Sequence, residues 1–327
     1  MVSRQSGLGG QRHQRRLPRV GRQAIRGSVV SSILVTGANG QVGFELQRSL
    51  AALGNISALT RAGMDLASEA SILAALREHK PAVIVNPAAY TAVDRAENDR
   101  ELAISVNSTA PGIMARWAAD NGAWLIHYST DYVFDGTKTD PYVEDDKVNP
   151  QSVYGESKLL GEEAVRTSGA HHAILRTSWV YGHHGSNFLK TILRLAQERS
   201  TLNVVADQIG APTSAALIAD VTRAVVDRLM VSDMAGDLSG TYHLTAQDST
   251  SWHGYAAHIV REASAQGFTL ALALDALKPI STAEYPTPAK RPANSRLNCT
   301  KLMRRFDIEL PAWKQGVDEV LTKLRIA

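Results

Sequence analysis

Val29-Val-Ser-Ser-Ile-Leu-Val35-Thr-Gly37-Ala-Asn-Gly40-Gln-Val-Gly43-Phe-Glu-Leu-Gln-Arg-Ser-Leu50 reads as strand, turn and helix. Residues 29–35 are apolar without alternation, the pattern of a strand covered on both faces. Glycines 37, 40 and 43 then form G-x-x-G-x-x-G before a helical pattern begins at Phe44. A turn this poor in side chains lets a pyrophosphate reach the backbone N–H groups and lets the helix close onto the sheet. Glycines at this spacing also fall in ordinary loops. Their place between a buried strand and a helix makes them a dinucleotide-site candidate.

The same unit recurs downstream. Strands are predicted near 56–59, 83–86, 124–128 and 173–176, and helices over 68–79, 97–107, 111–121 and 154–167. Strands alternating with helices of this length specify an α/β fold with a doubly wound parallel, Rossmann-like sheet. Ligands of such sheets bind beyond the carboxyl ends of the strands. The stretches 37–43, 87–91, 129–131 and 177–181 all fall there. Past residue 180 the alternation fades, with strand-like pieces at 202–205 and 240–244 and helices at 187–199 and 215–230. This divides the chain into a nucleotide-binding domain over 31–176, with returns near 201–244, and a smaller α/β substrate domain mainly over 177–327. The proline-rich run 279–296 reads as an ordered cap loop.

A chain of 327 residues with 44% hydrophobic and 20% charged content is ordinary for a globular protein. No apolar run approaches the ~20 residues of a spanning helix, so no membrane partner is expected. One cysteine, Cys299, fits a reducing, cytoplasmic setting. The net charge of +3 is uneven. Residues 1–30 hold seven arginines and no acid, leaving 28 basic against 32 acidic residues elsewhere. The body is therefore mildly acidic, and no nucleic-acid partner is expected. The arm itself reads as disordered. Its composition leaves open a transit peptide, a nucleic-acid-binding arm, or the product of an upstream start codon.

Two further features bear on chemistry. After the second strand, where an acid usually holds the ribose 2′-hydroxyl of NAD, stand Thr60 and Arg61. An arginine without an acid suits a 2′-phosphate and hence NADPH, with NADH not excluded; the plain alternative is a surface arginine. Farther on, Tyr154-Gly-Glu-Ser-Lys158 places a phenol and an ammonium one helical turn apart. An ammonium at that range is expected to lower the phenol's pKa and make it an acid–base group. An exposed helix with a solvated lysine has the same spacing, so the rest of the chain has to decide.

The ordered set Gly37–Gly43, Asn86-Pro-Ala-Ala-Tyr90-Thr91, Tyr128-Ser-Thr-Asp131-Tyr-Val-Phe134, Tyr154-x-x-x-Lys158, Trp179-Val-Tyr181, Asp207-Gln208-x-Gly210 and Arg291-Pro-x-Asn294-Ser295-Arg-Leu297 resembles the extended short-chain dehydrogenases. Within them it resembles the dTDP-4-dehydrorhamnose reductase family, from about residue 32 to 325. The resemblance implies reduction of dTDP-4-dehydro-L-rhamnose by NAD(P)H. It implies Tyr154 as proton donor, Thr130 as hydrogen-bond donor to the carbonyl oxygen, and Lys158 on the ribose. It further implies Gly40, Gln41 and Val42 on the pyrophosphate and Asp65 and Leu66 along the adenine. Ala89, Tyr90, Thr91 and Tyr128 would line the cofactor, and Thr130, Asp131 and Trp179 would face the sugar. Arg291, Asn294 and Arg296 are expected near the diphosphate.

Some members of the family hold magnesium at a dimer contact, so a homodimer is compatible with the resemblance. Here Glu45 matches one ligand position, but Ala216 and Lys314 stand at the others. A lysine is no carboxylate ligand, which makes magnesium doubtful, and no metal residue is assigned. Histidines 171, 172, 183 and 184 lack neighbours at ligand spacing and are expected in solvent-facing loops. A 4,6-dehydratase of this fold would carry Asp-Glu after the threonine, whereas this chain has Asp131-Tyr132. A nucleotide-sugar epimerase and a non-catalytic NADP-binding regulatory subunit remain as alternatives.

Overall fold

The computed structural model describes residues 31–231 and 235–326. The expectation of a disordered arm over 1–30 lies outside these residues. Ser31–Val35 forms β1, followed by α1 (Gln41–Leu50), β2 (Gly54–Ala58), α2 (Glu69–His79) and β3 (Val83–Asn86). A short α3 (Val93–Ala96) precedes the helix expected over 97–107, and that span itself holds α4 (Arg100–Ile104). A π-helical turn (Ser105–Thr109) then leads into α5 (Ala110–Asn121). Next come β4 (Trp124–Thr130), α6 (Val153–Arg166) and β5 (His171–Thr177).

The second half runs β6 (Val180–Tyr181), α7 (Phe188–Glu198), β7 (Leu202–Val205), β8 (Ile209–Gly210), β9 (Thr213–Ser214) and α8 (Ala215–Val231). It continues through β10 (Gly240–His243), β11 (Thr250–Ser251), α9 (Trp252–Ala265), β12 (Leu277–Ile280), α10 (Thr300–Phe306) and α11 (Trp313–Ile326).

Six parallel strands lie in the order β10-β5-β4-β3-β1-β2. The chain leaves β1 for β2 on one side and β3 on the other, so the crevice between β1 and β3 is the switch point that favours a ligand. Alternate strand residues feed two apolar layers. Ile33, Val35, Val85 and Ile126 face α1 and α8, while Leu34, Ile84, Leu125 and Ile174 face α2 and α5. Both faces being covered explains why β3 and β4 are buried at every position. Of the later strands, β10 joins this sheet, whereas β7 pairs with β12 away from it. A separate apolar cluster of Leu189, Ile192, Tyr255, Ile259, Val317 and Leu321 ties α7, α9 and α11 together.

Helix α6 begins at Ser152, whose side chain accepts from the Gly155 N–H, a sound N-cap. Its backbone lies very near its neighbours. A Cβ at Gly155 would sit 2.3 Å from the Tyr132 carbonyl oxygen, and one at Gly161 2.1 Å from that of Asn107. Gly161→Ala should therefore push α6 off the π-helical turn and lower stability by about 1–3 kcal/mol, the usual range for overpacking. Urea denaturation measures this. Gly63→Ala, whose Cβ would have no neighbour closer than 3.4 Å, serves as the permissive control.

Candidate active site

The carboxyl ends of β1, β3, β4 and β5 bring the expected residues to one crevice. At β1, Gly37 adopts φ +59°, a left-handed backbone that suits glycine, and a Cβ there would meet the Cβ of Ala88 at 2.9 Å. A Cβ on Gly43 would lie 2.1 Å from the Gly37 carbonyl oxygen, so α1 can start against the turn only with glycine. Gly40 caps α1 without a side-chain hydrogen bond, which leaves the first-turn N–H groups of Gln41 and Val42 available to an anion. The Gln41 side chain accepts from Asn187 Nδ2 (2.9 Å), linking the turn to the start of α7. At the end of β2, Arg61 keeps 79% of its side chain exposed, with Asp65 3.5 Å away, and Leu66 is buried in the α2–α5 layer. An open cradle, an uncapped helix start and a largely exposed guanidinium fit a phosphorylated dinucleotide.

Thr130 and Asp131 close β4, buried side by side, with Thr130 Oγ1 donating to Asp131 Oδ1 (3.1 Å). Burial raises the Asp131 carboxyl to about 6, the hydroxyls of Ser295 and Thr130 offsetting part of the effect. Its Oδ2, with Thr177 Oγ1 and Ser178 Oγ at the end of β5, has no protein partner. These unpaired polar atoms mark where a hydroxyl-rich ligand can bond. Tyr154 enters from the first turn of α6, edge-on to Tyr132 at 5.5 Å. Its ring meets the cleft, but loss of water around the hydroxyl pushes the phenol up to about 12, with Thr130 acting downward and Asp131 upward.

That differs from the sequence expectation of a phenol lowered by Lys158. Lys158 is 2% exposed and spends its Nζ on the Tyr128 carbonyl (2.6 Å) and His127 Nε2 (3.4 Å). Burial lowers it to about 8, against an upward pull from Glu162. The lysine is itself perturbed, and desolvation governs the tyrosine. Tyr128 likewise contributes its carbonyl rather than its ring. Its hydroxyl pairs with Thr222 of α8 (2.7 Å) on the far side of the sheet.

The loop Ala89-Tyr90-Thr91 is fixed by Asn107, which has no assigned role in the sequence reading. Asn107 Oδ1 accepts from the Tyr90 N–H (2.8 Å), and its Nδ2 donates to the Tyr90 carbonyl (3.0 Å) and Ser157 Oγ (3.0 Å). Only the π-helical register aims this side chain at both the loop and α6, and no sequence pattern announces it.

Trp179 sits at φ +49°, a strained backbone for a bulky residue. Its indole stacks on Trp252 (3.6 Å, 13°) and rests on Gly210, where a Cβ would come within 2.6 Å. Of the three residues expected near a diphosphate, Asn294 is taken at both ends. Its Nδ2 donates to the Lys138 and Asp140 carbonyls and its Oδ1 accepts from Arg296, which also reaches the Thr139 carbonyl. Arg291 pairs with Asp94 (2.7 Å) and keeps Nη1 unpartnered.

Of the four histidines, His183 and His184 lie in the expected loop, between β6 and α7, whereas the other two do not. His171 and His172 lie in β5, His171 stacking on Trp124. His183 Nδ1 lies 3.1 Å from Glu45 Oε1, and His184 stacks on Phe44 (4.4 Å, 6°). A magnesium site does not fit here. Glu45 is committed to His183 and Arg48, Ala216 has no donor atom, and Lys314 is a cation.

The model of the RmlD substrate binding domain family matches residues 31–326. A dTDP-4-dehydrorhamnose reductase of Salmonella typhimurium is 48% identical, over 90% of this chain and 98% of the relative. One from Burkholderia thailandensis is 50% identical over 87% and 96%. A crystal structure of a dTDP-4-dehydrorhamnose reductase from Bacillus anthracis in complex with NADP superposes with a TM-score of 0.81. It is 33% identical and covers 90% of this chain and 99% of its own.

The raised Asp131 carboxyl has a consequence for stability. A group held above its unfolded pKa stabilises the fold fully below about 3.8 and loses that contribution as pH rises through about 6. Asp131→Asn should thus stabilise the protein at pH 7.5, by up to about 3 kcal/mol, and by clearly less at pH 4.5. Denaturant titrations at the two pH values measure the gap.

Proposed function

The chain belongs to the dTDP-4-dehydrorhamnose reductase family, and on that premise we infer that it reduces the C4 ketone of dTDP-4-dehydro-L-rhamnose to dTDP-L-rhamnose, closing the synthesis of that nucleotide sugar. The observation that carries the reading is the meeting of Tyr154, Thr130 and Lys158 beside a glycine-lined crevice at the switch point.

NADPH, when bound, supplies the hydride that the carbonyl carbon takes up. Gly37, Gly40 and the N–H groups of Gln41 and Val42 hold its pyrophosphate, and Arg61 meets the 2′-phosphate. Asp65 and Leu66 border the adenine, and Ala89, Tyr90 and Thr91 form the wall that Asn107 fixes. Tyr154 donates its proton to the carbonyl oxygen as charge develops there. Thr130 hydrogen-bonds the same oxygen, and Lys158 holds the ribose hydroxyls. A phenol near 12 is fully protonated at neutral pH, which suits a donor. Asp131 takes a sugar hydroxyl, and the Trp179–Trp252 stack covers the apolar sugar face. In this reading the six-stranded sheet serves the cofactor, and residues 177–327 mainly serve the substrate. We place the enzyme in the cytoplasm, in keeping with its single, unpaired Cys299. Among the described residues no helix is long and apolar enough to cross a membrane.

NADPH oxidation with enzymatically prepared dTDP-4-dehydro-L-rhamnose should show turnover, and Tyr154→Phe should lower kcat by about 10²–10⁴-fold. Folded protein that binds NADPH but shows no turnover with either nicotinamide would sink the reading. Arg61→Ala should weaken NADPH about tenfold while leaving NADH within twofold, the loss of one charge-assisted phosphate contact. Fluorescence titration with the two cofactors reports it.

A further inference from the structure

The strip Asp207-Gln208-Ile209-Gly210 takes no part in hydride or proton transfer, yet each of its residues holds a different piece of the sugar side of the crevice. Asp207 takes the start of the 281–296 loop, its carboxylate accepting from the Thr282 N–H (2.9 Å) and hydroxyl (2.6 Å). Ile209 takes the loop's end. Its N–H donates to the Ala293 carbonyl (2.8 Å) and its carbonyl accepts from the Ser295 N–H (2.7 Å). Gly210 lies under the Trp179 indole, so close that a Cβ would meet Cε2 at 2.6 Å. Gln208, only 7% exposed, stands between the loop and Trp252.

The hydrogen bonds of Gln208 run in one direction only. An indole N–H donates and cannot accept, so Trp252 Nε1 (3.1 Å) faces the amide oxygen. The amide nitrogen must then donate to Thr282 Oγ1 (3.0 Å), and the threonine proton goes on to Asp207 Oδ1. The Thr282 hydroxyl and N–H hold the Asp207 carboxyl below the usual carboxylate range, so this end only accepts.

Trp252 depends on that anchor. It opens α9 with Phe188 tilted against it (4.6 Å, 52°) and Trp179 stacked on its face (3.6 Å, 13°). Aromatic contacts accept several offsets, and the bond to Gln208 selects one. Trp179 in turn has its backbone at φ +49°, a conformation that persists only where the surroundings fix it. Gly210 fixes one edge of its ring, Trp252 a face, and the Thr213 N–H its carbonyl (3.2 Å).

We propose that Gln208 is a positioning residue for the sugar: by anchoring the Trp252 indole it sets the Trp179 platform, so that its hydrogen bond adds affinity for the sugar and none for the nucleotide. The purpose rests on the reductase reading, and the relay itself on geometry. An indole turned out of register would leave the apolar sugar face partly in water. The diphosphate is expected at Arg291, whose anchor is Asp94 (2.7 Å) on α3 and not the relay. Nucleotide affinity therefore reports whether the crevice as a whole survives a substitution.

Gln208→Met keeps the length of the side chain and removes the acceptor, while Trp252→Phe keeps a ring against Trp179 and removes the donor. On protein loaded with NADP, calorimetric titration should show dTDP-L-rhamnose bound about tenfold more weakly by each variant, and dTDP within about twofold of native, the scale of one buried hydrogen bond. Both variants cut the same bond, so the double variant should lose no more than the weaker-binding single one. Equal losses for the two ligands, unchanged binding of both, or additive losses in the double variant would overturn the proposal.

A ligand-free signal separates it from the reductase reading. In protein carrying 5-fluorotryptophan, the Trp179 fluorine resonance is identified by its disappearance in Trp179→Phe. It should shift or divide in Gln208→Met, and an unmoved resonance overturns the proposal whatever the ligand. Native protein that binds dTDP-L-rhamnose no tighter than dTDP counts against the reductase reading, and the fluorine resonance then decides for Gln208. Should Gln208→Met fail to fold, Trp252→Phe with the two ligands decides.

Discussion

The backbone of α6 lies closer to its neighbours than side chains would allow, and the site depends on that approach. Gly155 admits the Tyr132 carbonyl and Gly161 admits that of Asn107, so the face carrying Tyr154, Ser157 and Lys158 is set against β4 and the π-helical turn together. Deeper along the helix, Glu162 is locked to Arg176 by a two-pronged pair with neither residue more than 3% exposed. A buried pair of this kind adds little net stability, but losing either partner would strand a charge. It fixes the rotation of α6 about its own axis, and with it the direction of Tyr154.

Much of this was legible in the sequence. The uninterrupted apolar runs at 83–86 and 124–128 announced strands covered on both faces, and the glycines at 37, 40 and 43 fell where strand meets helix. Tyr154, Lys158, Thr130 and Asp131 converge because their elements all end on one side of a parallel sheet, a matter of topology. Pairwise detail was not legible. Asn107 acts only through a one-residue widening of a helix, and Trp252 reaches Trp179 across the fold. The pKa balance inverted for the same reason. Spacing places Lys158 one turn from Tyr154, but how much water each retains, and which carbonyl takes the ammonium, depend on packing from four other elements. Asn294 shows the converse, a polar residue that looked ligand-facing and is spent on three backbone and side-chain partners.

The polar groups of the crevice are held by short local devices rather than by one long network. Thr130 ties Asp131, Asn107 ties the 89–91 loop, and Gln41 with Asn187 ties the glycine turn to α7. His183 and His184 press the following loop onto α1 through Glu45 and Phe44. Each device is small and local, and each fixes one piece of backbone around the crevice.

The late arrival of β10 affects how the chain is made. The sheet's last strand is residues 240–243, pairing with β5, which ends at Thr177. On a ribosome adding about 5–20 residues each second, the open edge of β5 waits roughly 3–13 s for its partner. During that interval a hydrogen-bonding edge beside Ile174 and Leu175 is available to any other nascent chain. The fold therefore has its period of greatest aggregation hazard midway through synthesis, and slower translation between codons 178 and 240 would lengthen it.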